Sequence, residues 1–136
     1  MARKLLRMLL LVNGLVMCLA APAVLLPQAW MADIHARLGL GTMPGAPLFL
    51  YLCRTISVVY TLLGVISIIM YTDPVRYRPI ILAFGWALVA LGATVIGMGV
   101  AGELPAAWSL MEGPGTMAVG AATLLLLRVA VCRPPR

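Results

Sequence analysis

The chain has 136 residues, of which 63% are hydrophobic and only 10% charged. A water-soluble domain cannot bury that much apolar surface, so the composition excludes a soluble enzyme or binding module and points to a bilayer as solvent. The net charge of +6 would suit nucleic acid, but the basic residues are scattered over the ends of separate apolar segments rather than gathered in one groove, which argues against that partner.

The first apolar run covers residues 5–26, about 33 Å at helical rise and long enough to span the hydrocarbon core. It contains Asn13 and Gly14 and is followed by Pro27. A rival reading is open here. The basic start, apolar run and Ala21–Pro22–Ala23 ending follow signal-peptide grammar. LVMC (15–18) also resembles a lipoprotein cleavage box, with Met17 where a small residue is wanted. The apolar run continues through Leu26, which favours an uncleaved helix.

In QAWMADIHARLGL (28–40), Trp30, Met31, Ile34 and Leu38 fall on one helical face, and Asp33 and Arg37 form an i,i+4 pair. This predicts a short helix lying in the membrane interface, anchored by Trp30. GLGTMPGAP (39–47) then reads as a turn back into the membrane. The second span occupies 47–71 and is interrupted only by Arg54. The loop TDPVRYRP (72–79) follows, and a third span runs over 79–101 with Pro79 in its first turn, where proline fits. The fourth span is placed at 116–132, with Arg128 near its end.

Charge orients these spans. Arg3, Lys4 and Arg7, then Arg76 and Arg78, then Arg128, Arg133 and Arg136 fall on one side. Asp33, Glu103 and Glu112 fall on the other, with Arg37 and near Arg54. The positive-inside rule places both termini in the cytoplasm, in a bacterial cytoplasmic membrane.

The two outer connections echo each other. LPQAW (26–30) and GTM (41–43) precede Arg54 by the same ten-residue step with which GTM (115–117), after LPAAW (104–108), precedes Arg128. The LPxAW match also aligns Gly14 with Gly92. A duplicated in–out–in hairpin, related by an axis along the membrane normal, would produce this pattern.

Few motifs carry chemistry. GMGVAG (97–102) spells G-x-G-x-x-G, but it ends an apolar helix and lacks the strand–turn–helix setting of a dinucleotide site. Ala90, Ala93, Gly97 and Ala101 instead form a small-residue face suited to helix packing and to an oligomer. The lone His35 reads as a polar surface residue. Cys18, Cys53 and Cys132 form no CxxC pair, and no ligand spacing calls for a metal or other cofactor.

The second span is the most informative. Arg54, Ser57, Thr61, Gly64 and Ser67 share one stripe, with Tyr60 beside it. Polar and small residues on one stripe of a membrane helix face protein. Arg54 is expected to pair with Asp33, Glu103 or Glu112, to reach a backbone carbonyl, or to snorkel to the interface. Left partly unpaired, it would hold an anionic ligand or a lipid phosphate, with Ser57 and Tyr60 completing the site. An ion or proton path is disfavoured because a guanidinium does not release its proton near neutral pH. Asn13 is read as interhelical hydrogen-bonding glue.

YLCRTISVVYTLLG (51–64), TDPVRYRP (72–79) and GWALVALG (85–92) resemble the small four-helix bacterial membrane proteins grouped as DoxX-like. That resemblance implies a compact bundle and an accessory role near membrane redox or quinone chemistry, and it carries over no functional residue. The expected fold is therefore an all-α integral membrane protein, a four-transmembrane-helix bundle with a short interfacial helix in the first outer loop. The expected function is a non-enzymatic structural or accessory subunit, in contact with membrane lipid and with a membrane protein partner or a second copy of itself. The alternative is a binder or transporter of a lipidic or anionic small molecule around Arg54.

Overall fold

A computed structural model describes the backbone of residues 1–101 and 106–132 and the side chains of 1–99 and 111–130. The described residues are helical, with no strand among them: α1 (Ala2–Cys18), α2 (Gln28–Arg37), α3 (Pro47–Thr72), α4 (Arg78–Ala101) and α5 (Ala106–Cys132). Four segments are long and apolar enough to cross a membrane: Ala2–Val24, Pro47–Thr72, Arg78–Gly99 and Met111–Ala130.

Two boundaries differ from expectation, both at proline. The first span is not one helix over 5–26. Its α-helical part ends at Cys18, and a 3-10 turn (Ala21–Val24) carries the chain onward with Pro22 in its first turn. Pro22 has no N–H to offer, and its ring clashes with the carbonyl four residues back, which is that of Cys18. The last helix starts at Ala106 rather than near 116 and runs straight through Pro114. That proline gives up one helix hydrogen bond. Packing restores the balance: Gly113 is buried against Gly92 and Ile96 of α4, which holds this turn helical. The short helix predicted in this segment is present as α2, with Trp30, Ile34 and Leu38 all exposed.

The helices pair as two antiparallel hairpins, α1 with α3 and α4 with α5, joined where α1 meets α5. Both hairpins close on glycine. A Cβ added at Gly14 would lie 2.8 Å from the Gly64 carbonyl oxygen, and one at Gly64 would lie 2.7 Å from that of Gly14. In the second hairpin a Cβ at Gly92 would lie 2.6 Å from both the Gly113 oxygen and the Met117 nitrogen. Only glycine permits backbones this close, and close backbones are what hold helices together where lipid competes for apolar contact. Gly14 and Gly92 thus each sit at a hairpin crossing, with Gly64 opposite one and Gly113 opposite the other.

The α3 stripe faces α1 as its spacing predicts. The buried Ser67 hydroxyl donates to the Leu10 carbonyl across the interface at 2.8 Å, and the Cys18 thiol donates to Thr61 O at 3.8 Å. The buried core lies toward the basic end: Leu6 and Leu10 of α1, Met70 of α3, Ile81 and Phe84 of α4, and Leu127 of α5. Polar contacts seal that end. Arg7 donates from Nε to the Tyr71 carbonyl at 3.1 Å and lies 4.8 Å over the Tyr71 ring, and Arg3 approaches Asp73 at 4.0 Å.

Candidate functional site

Away from the basic end the bundle opens. A cleft of about 400 Å³ lies among α1, α3, α4 and α5, within the size range of small-molecule sites. Leu88 and Val119 close it toward the packed core; Val16 and Met17 of α1, with Ala20 just beyond it, form one wall, and Met111 and Gly115 lie on α5. Four polar side chains interrupt this apolar lining: Asn13, Tyr60, Glu112 and Thr116, all half-buried.

Each reaches the cleft for a local reason. Glu112 and Thr116 are i,i+4 on α5 and so share one face. Gly115, beside them, adds no bulk, and a Cβ there would meet nothing within 4 Å. Asn13 precedes the Gly14 crossing by one residue, which turns it off the contact line with α3. It donates from Nδ2 to Met17 Sδ of its own helix at 3.6 Å rather than bridging two helices as expected, because at this level α1 borders the cleft. Tyr60 stands beside the α3 stripe, one position before Thr61, and lines the same space.

The structure separates the residues grouped around Arg54. Arg54 Nη2 donates to the Leu26 carbonyl at 3.3 Å, and its buried Nε has no hydrogen-bond partner among the described residues. It therefore holds α3 to the link before α2. Leu26 precedes Pro27 and the start of α2, so its carbonyl is available. Ser57 donates back to the Cys53 carbonyl at 2.9 Å and lies outside the cleft lining. Asp33 does not reach Arg54; it pairs with Arg37 Nε at 2.9 Å on the exposed face of α2. Glu112 does not reach Arg54 either, because α5 begins ten residues earlier than expected and carries Glu112 into the cleft as part of a helix. Glu103 lies outside the described residues. Of the candidates described, Tyr60 and Glu112 come together and Arg54, Ser57 and Asp33 stand apart.

Within one copy of the chain the small-residue face of α4 is open: Ala93 is exposed and a Cβ at Gly97 would meet nothing within 4 Å. The contact with α5 uses Gly85, Leu88, Gly92 and Ile96 instead. At the crossing an alanine methyl would strike backbone, so the face with glycine at that height is the one that closes.

His35 serves the surface, with Nδ1 3.3 Å from the Gly41 carbonyl and its ring edge-on to Phe49. No three His, Cys, Asp or Glu side chains come together as metal ligands among the described residues.

Arg54→Leu tests the bracket. The variant loses one charge-assisted hydrogen bond but also relieves a buried unpaired N–H, so the expected net change in global stability is below about 1 kcal/mol. Amide exchange in residues 25–38 should accelerate several-fold while α1 and α3 stay protected. Loss of bound lipid with unchanged exchange would instead make Arg54 a headgroup ligand.

Comparison with family models, with curated proteins and with solved structures returns no match for this chain.

Proposed function

We propose that the chain is an integral membrane protein whose basic end lies in the cytoplasm and whose cleft receives a small amphiphilic molecule from the opposite half of the bilayer. Four apolar segments of spanning length support the membrane assignment. Arg3, Lys4, Arg7, Arg76 and Arg78 lie at one end of the bundle, which supports the orientation. The observation that carries the binding role is the cleft itself, an apolar wall interrupted by Asn13, Tyr60, Glu112 and Thr116. Binding sites for small molecules have this makeup, and an ionisable side chain on a membrane helix is a functional-site candidate in its own right. The ligand class shifts accordingly: the cleft is acidic, whereas the Arg54 site would have selected an anion.

A second reading, an accessory subunit in a membrane complex or a homo-oligomer, is favoured by the exposed Ala93 and the open space at Gly97. The resemblance in layout to DoxX-like proteins carries no residue into either reading.

The test is photolabelling in nanodiscs with dodecanol bearing a diazirine near its tail. Label is expected on the cleft residues Met17, Tyr60, Leu88 and Val119. Val119→Trp, which fills the space, should reduce it by about tenfold or more, a loss of about 1.4 kcal/mol in affinity. Label confined in the native protein to outward residues such as Leu62, Met98 and Leu125 would overturn the binding role.

A further inference from the structure

We propose that the molecule held in the cleft carries a positively charged head, as a lipophilic amine or quaternary ammonium does. This rests on the binding role proposed above and adds the sign of the ligand's charge.

The charge inventory of the cleft is one-sided. Among the described residues, Glu112 is the one carboxylate that lines the cleft, and no lysine, arginine or histidine lines it. The ion pairs among the described residues, Arg3 with Asp73 and Arg37 with Asp33, leave Glu112 out. Glu112 stands half-buried against an apolar wall with no counter-ion among the described residues. A cationic head placed in the cleft supplies that counter-ion. An anionic head would add a second negative charge in a medium that screens poorly.

The neutral polar groups supply oxygen acceptors for such a head. Asn13 gives one amide N–H to Met17 Sδ at 3.6 Å and keeps its amide oxygen as an acceptor. Tyr60 offers a phenolic oxygen and an aromatic ring, and rings of this kind attract ammonium groups. Thr116 contributes a hydroxyl oxygen one helical turn from Glu112. The remaining wall, including Val16, Leu88 and Val119, is suited to an alkyl or aryl body.

The experiment compares three probes that share one chain: dodecyltrimethylammonium, dodecanol and laurate. Each displaces the diazirine dodecanol from the protein in phosphatidylcholine nanodiscs, and potency is expressed per bilayer-bound probe. The cation should displace at a concentration lower than dodecanol by about tenfold or more, and laurate should be the weakest. Glu112→Gln should abolish the advantage of the cation over dodecanol. Glu112→Asp, which keeps the charge, should retain it. Equal potency of cation and alcohol in the native protein, or a preference that survives Glu112→Gln, would overturn the proposal. Either result leaves the binding role standing, because dodecanol still labels the cleft; absence of any cleft label removes the binding role itself.

Discussion

Gly92→Ala is expected to prevent the α4–α5 hairpin from closing, with a loss of about 3 kcal/mol typical of overpacking at a rigid contact. The added Cβ would lie 2.6 Å from the Gly113 oxygen and from the Met117 nitrogen, both backbone atoms that cannot swing aside as a flexible side chain would. The helices must separate, and separation also withdraws the packing that keeps α5 helical through Pro114. The matched control is Gly97→Ala on the same helix, where the new methyl meets nothing within 4 Å. Relief of the helical glycine penalty should make that variant more stable by roughly 0.5–1 kcal/mol. Reversible unfolding in mixed micelles, followed by circular dichroism, separates the two. Opposite signs are expected, and equal effects would show that the hairpin does not close on Gly92.

That contrast explains how much of this molecule could be read from its residues. The start of α3 was legible because Pro47 suits a first turn and the apolar run follows at once. α2 was legible because Asp33 and Arg37, four residues apart, find each other on a short helix. The inward face of α3 was legible as a stripe of serine, threonine and glycine at helical spacing. The start of α5 was not. Gly113, Pro114 and Gly115 have the local chemistry of a turn, and the force that overrides it is tertiary: Gly113 packs on α4. The break after Cys18 was signalled by Pro22, but the continuing apolar run concealed it, since hydropathy reports span length rather than helical continuity.

The start of α5 decides where the site lies. With α5 begun at 116, Glu112 belonged to a loop and became a natural partner for Arg54. With α5 begun at Ala106, Glu112 and Thr116 share a face and meet Asn13 and Tyr60. The i,i+4 spacing of Glu112 and Thr116 was the available signal. A cleft depends on how four helices are rotated against each other, and one chain's residue pattern does not encode that rotation directly. Arg54 is the one charge inside its span, but its partner is the Leu26 carbonyl, and a carbonyl leaves no mark in a sequence.

The second large effect concerns access. Thr116 lines the cleft and is half-buried, whereas Leu62 on α3 is 57% exposed on the outer surface of the bundle. In a membrane these two kinds of exposure differ chemically. On the membrane assignment proposed above, Leu62 meets hydrocarbon, where a thiol does not ionise and reacts slowly with polar reagents. Thr116 stands beside Glu112, Tyr60 and Asn13 in a cleft that opens away from the basic end, and a polar lining of this kind is expected to admit water. A cysteine at 116 is therefore expected to react and one at 62 to stay inert.

The most direct test replaces the native cysteines with alanine, introduces Thr116→Cys or Leu62→Cys, and measures the rate of modification by a small cationic methanethiosulfonate. The reagent is added to sealed vesicles from the side opposite the basic end. Thr116→Cys should react faster than Leu62→Cys by about tenfold or more, and dodecyltrimethylammonium should slow it. Equal, slow reaction at both positions would contradict the cleft and the binding role built on it.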